Sequence, residues 1–255
     1  MARIITICNA KGGVGKTTTS INLAAYLAAL GKYALLVDMD SQANATGGVG
    51  IAMNIEADNI YHAIVNDQNP LPMIKKTSIF GFDVLPATQA LAGATVELVS
   101  MEEREYRLKN ALNGLRMNYD YILIDCPPSL GLLTVNALTA GDYVIIPVQC
   151  EYYALEGLSQ LMHAIGLVRE SLNPDLQVLG VLLTMYDKRN QLNRHVLNEV
   201  SKNFPGRVFD AVISRTIDLA EAPSYGKPII QFNPNSKAAN EYRRLAEEVI
   251  KLIDR

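Results

Sequence analysis

Only three cysteines, Cys8, Cys126 and Cys150, occur in the 255 residues. Their number is odd, they sit in apolar stretches, and no two share the spacing of a zinc ligand pair or a redox motif. The reading that follows is reduced, buried thiols acting as small apolar side chains. Long apolar runs are also missing, and nothing approaches the roughly 20 residues that cross a bilayer. No charged-then-apolar leader precedes the first strand pattern, so the expected compartment is the cytoplasm. Basic excess is absent as well: 23 Lys and Arg against 26 Asp and Glu leave a net charge of −3. Any contact with nucleic acid must therefore come from a local patch. Repeats, low-complexity tracts and linker-like stretches are not found, which points to one domain over 1–255.

What is present is ample apolar material, 49% of residues against 19% charged, enough for a buried core. Short apolar runs alternate with helical patterns from end to end. The strand candidates are Arg3–Cys8, Tyr33–Asp38, Phe82–Leu85, Tyr121–Asp125, Tyr143–Val148, Val178–Met185 and Val208–Ile213. Several are continuous in Val, Ile and Leu, as strands covered on both faces must be. Apolar spacing of three and four predicts helices over Thr17–Leu30, Glu102–Met117, Leu155–Ser171, Leu192–Asn203 and Ser236–Ile253, with Gly31 closing the first. Right-handed crossovers then give an α/β, doubly wound, mostly parallel sheet with helices on both faces. The stretch from Ser41 to Leu98, broken by Gly47, Gly48, Gly50, Pro70, Pro72 and Gly81, is expected to decorate that sheet.

Between the first strand and the first helix stands Asn9-Ala10-Lys11-Gly12-Gly13-Val14-Gly15-Lys16-Thr17-Thr18-Thr19. Strand, glycine loop and helix together are the context of a phosphate-binding loop. Glycines let backbone N–H groups turn toward phosphate oxygens, and the helix N-terminus adds its positive end. The pattern assigns Lys16 to the β- and γ-phosphates and Thr17 to magnesium. Ala10 stands where the general pattern has glycine, and a second lysine, Lys11, opens the loop.

Two apolar runs end in carboxylates at the same sheet edge, where open α/β sheets bind ligands. One is Ala34-Leu35-Leu36-Val37, followed by Asp38-Met39-Asp40-Ser41-Gln42-Ala43-Asn44-Ala45-Thr46; the other is Tyr121-Ile122-Leu123-Ile124-Asp125, followed by Cys126-Pro127-Pro128. The second has the Walker B form, with Asp125 placed to hold magnesium through water, because that ion keeps much of its hydration shell.

The run Lys11-Gly12-Gly13-Val14-Gly15-Lys16-Thr17-Thr18 resembles the deviant Walker motif of the ParA/MinD family. So do the Asp38–Thr46 segment, Asp125–Gly131, the run Gln149-Cys150-Glu151-Tyr152-Tyr153-Ala154-Leu155-Glu156-Gly157, and Glu221–Pro228, and these look specifically like Soj/ParA. The resemblance implies an ATPase using ATP and Mg2+. Lys11 would reach across a nucleotide-sandwich homodimer to the partner's phosphates, a cation in trans acting as arginine fingers do. Asp40 would orient the attacking water, with Asp38 supporting metal and loop. The nucleotide would be cradled by Lys11, Gly12, Gly13, Val14, Gly15, Lys16, Thr17 and Thr18, its base lying between Met185 and the loop Ser214-Arg215-Thr216. Relatives often carry Pro and Asn at the places of Ser214 and Thr216.

By the same resemblance the ATP dimer would coat double-stranded DNA without sequence preference and be released by a ParB-type partner. The loop begins near residue 11, so a preceding helix-turn-helix is not expected. Candidate phosphate contacts are Lys188, Arg189, Arg194 and Arg215; Asp218 stands where DNA-binding relatives often have a basic residue. Three rivals compete. A MinD-like membrane ATPase needs an amphipathic anchor beyond Tyr242–Arg255, whose stripe reads as a helix packed on the sheet. An iron–sulfur or ligase relative would use phosphoryl transfer to drive other chemistry, and its iron–sulfur form needs cysteines in glycine-rich loops, where none of the three lies. A scaffold without turnover sits badly with Lys11 and Asp40 together.

Overall fold

The computed structural model describes residues 1–52, 57–151 and 154–254. In chain order its elements are β1 (Arg3–Ile7), α1 (Lys16–Ala29), β2 (Ala34–Asp38), α2 (Asn44–Gly48), α3 (Ile60–Val65), β3 (Lys75–Lys76), β4 (Phe82–Leu85), α4 (Leu91–Glu97), α5 (Arg107–Asn113) and β5 (Tyr121–Asp125). There follow α6 (Leu132–Ala140), β6 (Tyr143–Gln149), α7 (Ala154–Ser171), β7 (Gln177–Thr184), α8 (Gln191–Asn203), α9 (Ile217–Glu221), α10 (Ile229–Phe232) and α11 (Lys237–Ile253).

Seven strands form one sheet in the order β3-β4-β2-β5-β1-β6-β7. All pairings are parallel except that of the short edge strand β3 with β4. The alternation of side chains along each strand splits the core in two. Ile4, Leu35, Val37, Ile122 and Ile124 join an apolar cluster with α3 to α8. Ile5, Ile7, Ala34, Leu36, Tyr121 and Leu123 join the opposite one, built on α1 and α11. Both faces of each central strand are thus sealed, which is why these strands are apolar throughout.

Six of the seven expected strands form, within a residue at either end; Val208–Ile213 does not become a ladder strand. It runs along the β7 edge, bridged at Val181↔Val208 and Tyr186↔Ser214, with the Phe209 amide donating to Val181 O and the Ile213 amide to Leu183 O, both at 2.9 Å. Between them the Asp210 and Ala211 amides turn away and donate to the Glu248 carboxylate of α11, at 3.1 and 3.2 Å. A side chain from a distant helix has outcompeted the neighbouring strand. The helix expected over Glu102–Met117 contracts to α5, because Glu103 lies at φ 50°, off the helical basin. The α6 helix after Gly131 was not anticipated, and neither was β3. The Ser41–Leu98 stretch is richer than a decoration, supplying α2, α3, α4 and two strands. Met53 to Glu56, Tyr152 and Tyr153, the last two part of a family-like run, lie outside the described residues.

Candidate active site

The loop between β1 and α1 is shaped by Gly13 at φ 74° and Gly15 at φ 87°, conformations that a side chain would strain. Gly15 caps α1, and the chain is pinned from two neighbouring strands. The Asn9 amide donates to Pro147 O at 2.8 Å while its oxygen accepts from the Lys11 amide at 3.0 Å. The Thr184 hydroxyl donates to Val14 O at 2.8 Å. Lys16 is buried at the head of α1, its ammonium 3.0 Å from Lys11 O. Burial depresses the pKa of Lys16, against the pull of Asp125. An anion in the loop would favour its charged form.

The two carboxylates reach the loop by register. Asp38 and Asp125 are direct partners across β2 and β5, and the alternation that sends Val37 and Ile124 to the far cluster turns both aspartates toward α1. Neither is exposed to solvent. Burial pushes Asp125 up to about 7, reinforced by Asp38 and opposed by Ser20, Thr17 and Lys16. Burial pushes Asp38 up to about 6, opposed by the Thr46 hydroxyl and amide and the Asp40 amide. Their hydrogen bonds differ in kind. Asp38 spends both oxygens on protein donors: Oδ2 on the Thr46 amide and hydroxyl at 2.8 and 2.7 Å, and Oδ1 on the Asp40 amide at 3.1 Å. Asp125 accepts the Ser20 hydroxyl at Oδ1, while its buried Oδ2 has no partner at hydrogen-bond distance and the Thr17 hydroxyl lies close enough to the carboxylate to lower its pKa.

That orphaned oxygen beside Thr17 is the feature that fits a hard cation. Magnesium takes one or two protein oxygens and completes its shell with water and phosphate, so a dense acidic cage is not required. Among the described residues there is no group of three or more His, Cys, Asp or Glu that could hold a metal. Thr17 and Asp125 could hold the ion, whereas Asp38, also expected to support the metal, has both oxygens engaged by Thr46 and the Asp40 amide.

A cleft of about 390 Å³ opens above the loop, and Gly12, Gly13, Gly15, Lys16, Thr17, Thr18 and Asp40 all line it. A second cavity of about 220 Å³ adjoins it, lined by Gly15, Thr18, Met185, Ser214, Arg215 and Thr216. Every residue assigned to the nucleotide except Lys11 and Val14 therefore borders one of two adjacent cavities. Lys11 sits on the exposed rim, paired with Glu151 at 2.7 Å. Val14 is buried and contributes only its backbone. Sequence reasoning missed Asn44, Pro128, Leu219, Pro223 and Lys227, which also line the larger cleft. It also missed Ser20. None of these types carries a motif signal alone.

Of the DNA candidates, Lys188, Arg189, Arg194 and Arg215 are all exposed. The Arg215 amide donates to Tyr186 O at 3.2 Å, which sets Arg215 beside the segment carrying Lys188 and Arg189. Arg189 is paired with Asp187 at 3.0 Å, so part of its charge is already answered. The apolar stripe of α11, including Tyr242, Leu245, Val249 and Ile253, is buried against the α1 face of the sheet. No helix among the described residues is long and apolar enough to cross a membrane.

Comparison with known proteins puts this geometry in company. The family model described as an AAA domain matches residues 2–178. The chain is 56% identical over 249 residues to the sporulation initiation inhibitor protein Soj of Bacillus subtilis, covering 98% of each. It is 52% identical to the chromosome partitioning protein ParA of Myxococcus xanthus, covering 98% of this chain and 89% of that one. Among solved structures, a Mycobacterium smegmatis protein described as cobyrinic acid a,c-diamide synthase, with bound ADP and magnesium, superposes with a TM-score of 0.87 at 37% identity, over 98% of this chain and 95% of that one.

Proposed function

The chain belongs to the ParA/Soj family of deviant Walker partition ATPases, and we propose that ATP drives it into a sandwich dimer that coats DNA without sequence preference until a ParB-type partner stimulates hydrolysis. Its reaction is hydrolysis of ATP to ADP and phosphate, with Mg2+ as cofactor. When bound, the ion neutralises charge on the β- and γ-phosphates. The chain's own residues supply the rest. Loop amides and Lys16 hold the phosphates, Thr17 and Asp125 hold the ion, and Asp40, fixed through Asp38, orients water toward the terminal phosphate. The base occupies the cavity between Met185 and Ser214–Thr216.

The observation that carries the dimer reading is the position of Lys11. Its backbone belongs to the loop, yet its side chain is half exposed on the rim and directed to Glu151. On the rim the ammonium is placed to reach beyond its own cleft. The burial of the α11 stripe favours this reading over a membrane-anchored one. Identity of 56% and 52% with partition proteins, against 37% with the synthase-named neighbour, favours it over a ligase. With DNA as the track, the protein would reside on the nucleoid.

The test is a gel-shift titration on unrelated duplexes with ATP or ADP at rising salt. Binding should require ATP and fall steeply with salt. Replacing Lys188 and Arg194 by alanine should reduce the log–log salt slope by about one for each DNA phosphate that is no longer neutralised. Equal binding with ADP, or none at all, would overturn the proposal.

A further inference from the structure

Ser20 lies on the first turns of α1, three residues after Thr17 and on the same side of the helix. The helix is alanine-rich around it, with Ala24, Ala25 and Ala28 all buried. Ser20 is itself fully buried, where alanine would pack as well and a hydroxyl without a partner would cost stability. Its Oγ lies 2.7 Å from Asp125 Oδ1 and 3.0 Å from Lys16 O. A hydroxyl has one proton and donates to one of these at a time. The bond to the carboxylate is the shorter and is charge-assisted, so it takes the proton when Asp125 is ionised. The other Asp125 oxygen is left buried and unpartnered.

We propose that Ser20 is a positioning residue for magnesium: by clamping Oδ1 of Asp125 it fixes the carboxylate rotamer and commits Oδ2 to the ion beside Thr17. Two hydroxyls one helical turn apart thereby divide the work. Thr17 faces the ion, while Ser20 holds the carboxylate that faces it. This is the logic of outer-shell partners, which orient a ligand that would otherwise rotate and whose loss typically weakens metal affinity 10- to 100-fold. The inference rests on the reading of Thr17 and Asp125 as the residues that hold magnesium. The competing view is that Ser20 merely back-bonds to Lys16 O, as helical serines commonly do.

A binding experiment separates the two without using turnover. Affinity for a fluorescent ADP analogue is measured for the parent and Ser20→Ala in EDTA, then across a magnesium titration, with a thermal melt of each. Ser20→Ala adds no atoms to a packed site. The expected result is a roughly tenfold rise in the half-saturating magnesium concentration, with affinity in EDTA changed less than about twofold. An unchanged magnesium requirement, or equal weakening with and without the ion, would mean that the hydroxyl only braces the helix, and the proposal would fail. A parent whose nucleotide affinity ignores magnesium would overturn the assignment of Thr17 and Asp125 as well.

Discussion

Thr46→Val tests whether the buried Asp38 is what holds the turn that carries Asp40. The two side chains have the same shape, so no cavity opens. The substitution removes one hydrogen bond from the Thr46 hydroxyl to Asp38 at 2.7 Å, and the acceptor for the Ala87 amide at 3.1 Å. A hydrogen bond to a charged group contributes about 1.5–3 kcal/mol, and a stranded buried donor costs about 1–3 kcal/mol. The sum is about 2.5–6 kcal/mol, or a fall in Tm of roughly 5–24 °C for a chain of this size. The pH dependence has a definite sign. The folded-state pKa of Asp38 is raised to about 6 from 3.8, so its contribution is most favourable below the unfolded value and is lost as pH rises through about 6. Removing a donor to the carboxylate raises the pKa further and deepens that loss. The penalty of Thr46→Val should therefore be larger at pH 8 than at pH 5, where a protonated Asp38 needs the donor less. Because Asp38 also accepts the Asp40 amide, kcat should fall while nucleotide affinity stays within a few-fold. Melts at pH 5 and 8 with steady-state ATP hydrolysis supply the check. A loss under about 1 kcal/mol at both pH values, which is the ordinary net contribution of a single hydrogen bond, would refute the reasoning.

Gly226→Ala should be severe: the position has φ 61°, and an added Cβ would meet Gly50 Cα at 2.7 Å, backbone against backbone. Strain of this type costs about 1–3 kcal/mol before the clash is counted, and the shift would move Ala222, Pro223 and Lys227 at the cleft wall, so a melt and a nucleotide titration should both deteriorate. Glu151→Gln should be mild in stability, since the half-exposed pair with Lys11 is worth no more than about 1 kcal/mol. Freed Lys11 should lower the protein concentration needed for ATP-dependent self-association a few-fold, read by analytical ultracentrifugation; weaker association would instead make Glu151 part of the interface.

The phosphate loop and the doubly wound sheet were legible in the residues because their causes are local. Gly13 and Gly15 are demanded by backbone conformation, Lys16 and Thr17 by their place at a helix start, and the apolar strands by burial on both faces. The fate of Val208–Ile213 was not legible: its apolar pattern suits a strand, but Glu248, 37 and 38 residues away from Ala211 and Asp210, claims two of its amides. The same holds inside the site. That Asp38 and Asp125 matter follows from where their strands end; that one has both oxygens occupied and the other has one free does not. Ser20 finds Asp125 across 105 positions, and Lys11 finds Glu151 across 140. Periodicity and backbone preference act over a few residues and so can be read along a chain. The choice of partner for each oxygen is made by strand register and helix packing, which exist only once the whole sheet has closed on its core.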